Sequence, residues 1–270
     1  LSWGLGRLSS CKFMQAMRYQ GFVYRERIFL MSKEGIVGED RFSRSPRRGV
    51  WVLCDGASEG YDGGGWARQL SRSAVHFSSL TRAVTVARRC RSPESRFTSV
   101  FNVDSDWDTV LARSKGSYST LLRLRVVPRS VEVEVIGDTV VFFLRGYEIV
   151  YGFPAQEAEF FHQNPLLLSD RPQDELPPIW AASFPWRKKR ITTLLLATDA
   201  LALYLVSLER EEQRKILSLL HRGTENQIRK VLAEERQGKR IRWDDLSYLW
   251  LDLRPTGKKA SRRNRLDICI

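Results

Sequence analysis

The chain has 270 residues, of which 43% are hydrophobic, and it carries a formal net charge of +13 at neutral pH. This length and apolar content allow a large buried core, which excludes a wholly disordered protein and favours one large domain. The basic excess favours acidic partners, either nucleic acid or phosphorylated protein, although runs of Lys and Arg are more often solvated surface.

The amino end, residues 1–20, has no uninterrupted apolar core and is therefore a poor signal peptide. The four cysteines are scattered, with no Cys-x-x-Cys pair. This spacing disfavours a thiolate metal site or a disulfide framework and predicts a reducing, cytoplasmic location.

Strands and helices are predicted in separate groups along the chain. Apolar or alternating runs predict strands at residues 21–31, 49–54, 119–127, 131–136, 139–145, 193–197 and 246–253. Helical periodicity predicts helices at residues 65–81, 104–114, 200–208, 209–221 and 225–237. Residues 163–185, with five prolines, predict an extended ordered loop or a flap.

The apolar stretch over residues 191–208 is hydrophobic enough to suggest a membrane span. Asp199 and the Thr residues within it argue against a span, because an ionisable group in a bilayer is costly. We interpret the stretch as a buried strand followed by a helix, with Asp199 at their junction. No membrane span is therefore predicted.

Four aspartates stand at the edges of apolar runs: Asp55, Asp138, Asp199 and Asp244. Each alone is also explained as a turn residue that hydrogen-bonds its own backbone. Four carboxylates from distant segments make most sense if the strand ends converge and a cation offsets their charge. Oxygen-only ligands favour hard ions such as Mg²⁺ or Mn²⁺.

Six short motifs are spread along most of the chain. They are residues 39–42 (Glu-Asp-Arg-Phe), 52–58 (Val-Leu-Cys-Asp-Gly-Ala-Ser), 116–122 (Gly-Ser-Tyr-Ser-Thr-Leu-Leu), 136–139 (Ile-Gly-Asp-Thr), 197–200 (Ala-Thr-Asp-Ala) and 244–247 (Asp-Asp-Leu-Ser). Each motif alone is weak, but together and in this order they resemble those of the metal-dependent serine/threonine phosphatases of the protein phosphatase 2C family. They look most like its divergent bacterial branch.

The resemblance implies an α+β fold, a four-layer α-β-β-α sandwich in which helices flank two central, mainly antiparallel sheets. We expect a single phosphatase domain over residues 1–253. The basic residues 254–270 are expected to form a flexible carboxyl-terminal tail.

The resemblance also implies a centre with two Mn²⁺ or Mg²⁺ ions and a looser third. Such a pair of ions activates a shared water for in-line attack on phosphorus, so that no protein nucleophile is needed. Asp55, Asp199 and Asp244 carry the catalytic role in this interpretation. Asp55 would bridge the two ions. The Gly56 carbonyl and Glu39 or Asp40 would complete the coordination of one ion, and Asp199 and Asp244 would complete that of the other. Asp138 with Asp199 would hold the third ion.

Some positions depart from the family pattern. Ala57 stands where the eukaryotic enzymes have a general-acid His, and Ala200 replaces a glycine. The phosphate-binding Arg is missing, and Lys33 or Arg25 is a candidate to replace it. Asp245 replaces Asn, and either ligates or is solvated.

Three functions remain open at this point. The leading one is a Mn²⁺- or Mg²⁺-dependent phosphatase that acts on phosphorylated protein. The second is a family member that has become a regulatory or binding module, which the missing His keeps open. The third is a basic nucleic-acid-associated protein, disfavoured because no nucleic-acid motif of defined spacing accompanies the charge.

Overall fold

The computed structural model describes residues 17–19, 22–33, 38–58, 60–91, 116–185 and 191–255. Within these residues the strands are β1 (Met17–Tyr19), β2 (Phe22–Met31), β3 (Arg41–Ser45), β4 (Val50–Cys54), β5 (Tyr118–Ser119), β6 (Leu121–Val126), β7 (Val131–Ile136), β8 (Val140–Arg145), β9 (Glu148–Phe153), β10 (Leu168–Ser169), β11 (Trp180–Phe184), β12 (Thr193–Ala197) and β13 (Leu246–Pro255). The α-helices are α1 (Gly63–Ala74), α2 (Leu80–Arg91), α3 (Asp199–Ser207), α4 (Arg210–Arg222) and α5 (Glu225–Gln237). Two 3-10 segments, Pro46–Arg48 and Ala158–His162, accompany them.

The strands form two large antiparallel sheets. One has six strands in the order β1-β2-β13-β12-β8-β9, and the other has five in the order β11-β7-β6-β4-β3. β5 and β10 form a separate two-stranded sheet. β6 and β7 are antiparallel, and in the turn between them Val127 N donates to Ser130 O at 2.9 Å.

Three apolar cores separate four layers. Helices α3, α4 and α5 pack on the six-stranded sheet around residues such as Leu201, Leu217 and Phe142. Helices α1 and α2 pack on the five-stranded sheet around Trp66 and Val52. The third core lies between the sheets. The predicted four-layer sandwich is therefore confirmed.

Strand β12 shows why the central strands appear as continuous apolar runs. Leu195 joins the core under the helices, whereas Leu194 and Leu196 join the core between the sheets. Successive strand side chains point to opposite faces, so a strand covered on both faces has no polar side. The stretch predicted to be strand and then helix is therefore β12 followed by α3. Among the described residues, no helix is both long and apolar enough to cross a bilayer.

The single helix predicted over residues 65–81 is wrong, because two helices occupy this region. α1 ends at Ala74 and α2 begins at Leu80, just after Ser79, whose carbonyl accepts from Ala83 N at 3.1 Å. Arg123 of β6 holds the intervening turn, because its guanidinium donates to the carbonyls of Phe77 and Ser78 at 2.8 and 2.9 Å. A buried partner from a distant strand thus overrides the local periodicity.

The prediction also misplaces other segments. It misses β1, β3 and β9, and residues 163–185, expected to be a loop or flap, contain β10 and β11. The last strand extends to Pro255, so Arg254 and Pro255 belong to the sheet and not to a tail. The helix predicted at residues 104–114 lies outside the described residues, as do residues 256–270.

Candidate metal centre

The sheet registers bring the ends of four strands to one edge of the sandwich. Ala197 at the end of β12 pairs with Val140 of β8 on one side and with Tyr248 of β13 on the other. Asp138, Asp199 and Asp244 lie just beyond these pairs, so they meet although they are distant in sequence. Asp55 follows β4 in the facing sheet, where its carbonyl accepts from Thr120 N at 2.8 Å.

Burial and mutual repulsion raise the pKa of these carboxyl groups. Burial, and next the charges of nearby acids, raise the pKa of Asp40 and of Asp138 to about 7. Burial also raises the pKa of Asp55, with Asp40 and Asp199 adding to the effect. The pKa of Asp199 is raised by burial and by Asp244. Each group responds to at least one other member, so the acids form one electrostatic cluster.

Some buried oxygens of this cluster have no hydrogen-bond partner. Both carboxylate oxygens of Asp40, Oδ1 of Asp199 and the Ser247 hydroxyl have no partner in good hydrogen-bond geometry. Ser247 and Asp55 still lie near enough to Asp40 to lower its pKa against the larger effect of burial. Burying an ionised oxygen without a partner is costly, so such groups are normally paired or bind a metal ion.

The donor set fits a hard divalent cation, because it consists of carboxylate oxygens with no thiolate or imidazole among the clustered acids. Its spacing does not form a ready-made shell: within the described ranges, no three acidic, His or Cys side chains lie close enough together to hold a metal ion. The clustered acids therefore offer donor atoms that suit such an ion. Their side chains would have to move closer together to bind it.

Gly56 lies where two backbone segments approach closely. A Cβ atom at this position would lie 2.5 Å from the Gly63 carbonyl carbon, at the start of α1. The reverse also holds, since a Cβ on Gly63 would lie 2.4 Å from the Ala57 carbonyl oxygen. The glycine-rich start of α1 therefore fixes the path of the chain that follows Asp55.

Lys33, a phosphate-binding candidate, lies within the acid cluster. Its Nζ donates to Asp244 Oδ1 at 2.8 Å and to Ser58 Oγ at 2.9 Å, and lies 4.0 Å from Glu39 Oε2. The Ser58 hydroxyl in turn donates to Glu39. Burial lowers the pKa of Lys33, but contact with Asp244 and the charges of Asp245 and Glu39 outweigh it and raise the pKa overall.

Arg25, the other phosphate-binding candidate, does not lie at the cluster. Its Cα pairs with Asp252 of β13, six residues before the end of β2 at Met31. At about 3.3 Å per strand residue, this places it roughly 20 Å along the sheet from that end. We therefore remove Arg25 from the candidates.

Asp245 is not solvated, which corrects one of the two alternatives for it. It is buried, with 4% exposure, and its carboxylate accepts from the backbone N–H groups of Lys33 and Glu39. That Asp245 ligates a metal ion stays a prediction. Asp245 joins the start of β13 to the two segments that carry Lys33 and Glu39.

Arg242 is a basic residue at the site that sequence reasoning missed. Its guanidinium lies 3.9 Å from Asp199 Oδ2 and donates to the Phe161 carbonyl at 2.9 Å. Its charge also lowers the pKa of Asp138, against the larger effect of burial. The only signal in the sequence is its place two residues before Asp244, which belongs to no motif we used.

The sequence matches no protein-family model and no curated protein. Solved structures with a similar fold include a bacterial serine phosphatase, with 13% identity and a TM-score of 0.59, covering 87% of this chain and 99% of that one. Stp1 from Staphylococcus aureus, a serine/threonine phosphatase, has 14% identity and a TM-score of 0.58, with 87% and 97% covered. The catalytic domain of the phosphatase PstP, in complex with two manganese ions, has 15% identity and a TM-score of 0.56, with 86% and 99% covered.

These matches confirm the fold that the six motifs imply. The chain has the four-layer architecture of bacterial serine/threonine phosphatases, over nearly the full length of each matched structure. At such low identity the likeness extends to the fold alone, and the chemistry has to be argued from the residues of this chain.

Proposed function

We propose that this protein is a Mn²⁺- or Mg²⁺-dependent phosphatase that hydrolyses phosphoserine and phosphothreonine in proteins. The observation that carries the proposal is the set of buried, unpartnered carboxylate oxygens on Asp40 and Asp199. They lie in a fold shared with PstP, whose structure contains two manganese ions. A cation offsets the repulsion that otherwise raises the pKa values of these acids.

In this proposal each acid has a role in holding the ions. Asp55 would be shared by two ions, as the acid whose pKa responds to Asp40, Asp199 and Asp244 together. The Gly56 carbonyl with Glu39 or Asp40 would help to hold one ion, Asp199 and Asp244 would hold the second, and Asp138 with Asp199 would hold a looser third. When bound, the ions supply an activated water and neutralise phosphate charge.

Two basic side chains position the phosphate. Lys33 lies 2.8 Å from Asp244, and Arg242 lies 3.9 Å from Asp199. The raised pKa of Lys33 keeps its ammonium charged at neutral pH, so it acts by charge and not as a proton donor. Ala57 carries no titratable group, and the chain offers no histidine at the place of the family's general acid.

The proposed substrate is phosphorylated protein, and the basic surface favours acidic segments around the phosphate. A cytoplasmic location stays a prediction. Of the cysteines within the described residues, Cys54 is a buried free thiol.

The assay for this function is phosphate release from a small aryl phosphate by the full chain, with Mn²⁺ and with chelator. Turnover should require the ion, and Asp55→Asn should lower it by about two or more orders of magnitude because both ions are disturbed. Glu211→Gln, which removes one negative charge from an exposed position of α4, serves as the control and should match the wild type. Full activity in chelator, or in Asp55→Asn, would reject the proposal.

A binding module with the same fold is the second candidate. It is favoured by Ala57 in place of the general-acid His and by the pairing of Lys33 with Asp244. This candidate predicts Mn²⁺ binding by calorimetry without phosphate release from any phosphoester.

A further inference from the structure

The ammonium group of Lys33 occupies a place beside two of the acids proposed to hold metal ions. It lies 2.8 Å from Asp244 Oδ1 and 4.0 Å from Glu39 Oε2, and the Lys33 side chain is only 13% exposed. Asp244 Oδ1 also accepts from Asp245 N at 2.8 Å. The structure thus already provides Asp244 with a positive partner of its own.

A divalent ion on Asp244 would meet this positive charge at close range, whichever carboxylate oxygen it used. Two like charges a few ångströms apart repel, even where solvent screens part of the interaction. The charge-assisted hydrogen bond between Lys33 and Asp244 also stabilises the metal-free state. Both effects oppose metal binding.

We propose that Lys33 competes with the divalent cation for Asp244, and that metal binding releases its ammonium group to contact a substrate phosphate. The inference rests on the proposed function. It adds that the Lys33 ammonium and the metal ion replace one another at the Asp244 carboxylate. Metal loading and phosphate binding are then coupled through Lys33, because only the metal-loaded state leaves the ammonium without its carboxylate.

The local structure allows this exchange. The Lys33 backbone is fixed, because its N–H donates to Asp245 Oδ1 at 2.9 Å. The long side chain beyond it is flexible and ends in three donors. Ser58 Oγ, at 2.9 Å from Nζ, offers a neutral acceptor that stays available when Asp244 turns to a metal ion. The ammonium can therefore leave Asp244 without losing every hydrogen bond.

The test is a calorimetric titration of the full chain with Mn²⁺ alone, without substrate. Lys33→Met should lower the Kd for Mn²⁺ about three- to tenfold, the size expected for a partly exposed ion pair. Lys33→Arg, which keeps the charge, should stay closer to the wild type. Lys215→Met removes the same charge from an exposed position of α4 and should leave the Kd unchanged.

Aryl phosphate kinetics at saturating Mn²⁺ provide the second readout. Lys33→Met should raise KM severalfold and should also tighten Mn²⁺ binding. If Lys33 had a merely structural role, the variant would instead raise both KM and the Kd for Mn²⁺. An unchanged or higher Kd for Mn²⁺ in Lys33→Met, with thermal unfolding showing a folded protein, would overturn the inference. If that variant does not fold, Lys33→Gln takes its place. Absence of Mn²⁺ binding by the wild type would instead overturn the proposed function itself.

Discussion

Among individual residues, the buried aspartates set the pH dependence of the metal-free protein. In a folded state with a pKa of about 7, Asp40 and Asp138 bind more protons between pH 4 and pH 7 than their unfolded counterparts, whose pKa is 3.8. The free energy of unfolding therefore falls as the pH rises through this range. Each pKa unit corresponds to about 1.4 kcal/mol, so a loss of a few kcal/mol is the upper limit for each group.

In chelator, we expect the Tm to fall as the pH is raised from about 5 to about 8, and Asp40→Asn to reduce that fall. The amide removes the buried charge while keeping the size of the side chain. Differential scanning calorimetry at these pH values measures the effect. Asp174→Asn, in a loop away from the cluster, serves as the control. A pH-independent Tm of the wild type would contradict the shifted pKa values.

The proposal assigns Asp138 to a looser third ion, and its substitution tests that assignment. The pKa of Asp138 is raised by Asp199 and Asp244 among the clustered acids, whereas that of Asp55 is raised by Asp40, Asp199 and Asp244. Asp138→Ala should therefore slow turnover while Mn²⁺ still binds tightly at the remaining acids in calorimetry. Loss of all Mn²⁺ binding in this variant would place Asp138 in the bridged pair.

At the scale of elements, the start of α1 is expected to control the site through Gly63. An alanine there would bring its Cβ to 2.4 Å from the Ala57 carbonyl oxygen, a backbone atom that cannot move aside alone. Gly63→Ala should cost about 1–3 kcal/mol of stability, as overpacking does, and weaken Mn²⁺ binding. Chemical denaturation and calorimetry measure the two effects.

Gly238→Ala is the matched control for this substitution. Its added Cβ would meet only ordinary contacts, at 3.5 and 3.6 Å, and its φ of −69° suits any residue. We expect a change within about 0.5 kcal/mol. Equal stability of the two variants would show that the approach of Gly56 and Gly63 does not constrain the site.

The sequence revealed those elements whose pattern is set locally. Helix α5 was predicted at its observed bounds from helical periodicity, and Thr224 and Gln227 form a capping box around its first turn, which is a local signal too. The break between α1 and α2 could not be predicted, because it depends on Arg123 from a strand more than 40 residues away. The same reason explains Arg242 and Asp245, whose roles depend on partners that only the fold brings together.

The Asp residues at strand ends were predictable for a different reason. Asp next to an apolar run is costly unless something compensates it, so the sequence pattern itself indicated a cluster. The order of the six motifs carries the resemblance to the phosphatase family, and that resemblance implies the four-layer fold. Arg25 was misplaced because a basic residue near a motif carries no information about its position along a strand.

On the scale of the whole molecule, one group of arginines lies apart from the acid cluster. These four arginines line a cavity of about 390 Å³, and two of them, Arg123 and Arg125, also pair with Glu134 and Glu132. It lies near Val50, at the start of β4, whereas Asp55 follows the end of that strand. An acidic segment bound there would leave the acid cluster open. The arginines are Arg47, Arg48, Arg123 and Arg125.

The basic residues after β13 provide a second test of the charge. Removing residues 256–270, which leaves Pro255 and the strand intact, should weaken the binding of acidic phosphoprotein in a salt-dependent way and spare aryl phosphate turnover. Gel-shift titration with DNA and RNA at two salt concentrations tests the nucleic-acid alternative. Tight binding that depends on these residues, without metal-dependent phosphate release, would favour that alternative.

Metal-dependent hydrolysis of phosphoprotein is tested most directly by phosphate release from a phosphothreonine peptide, with the wild-type chain, as Mn²⁺ is titrated. We predict no release in chelator and a rise to saturation as the ions fill the cluster around Asp55. Release that is complete in chelator, or a chain that binds Mn²⁺ yet never releases phosphate, would contradict it.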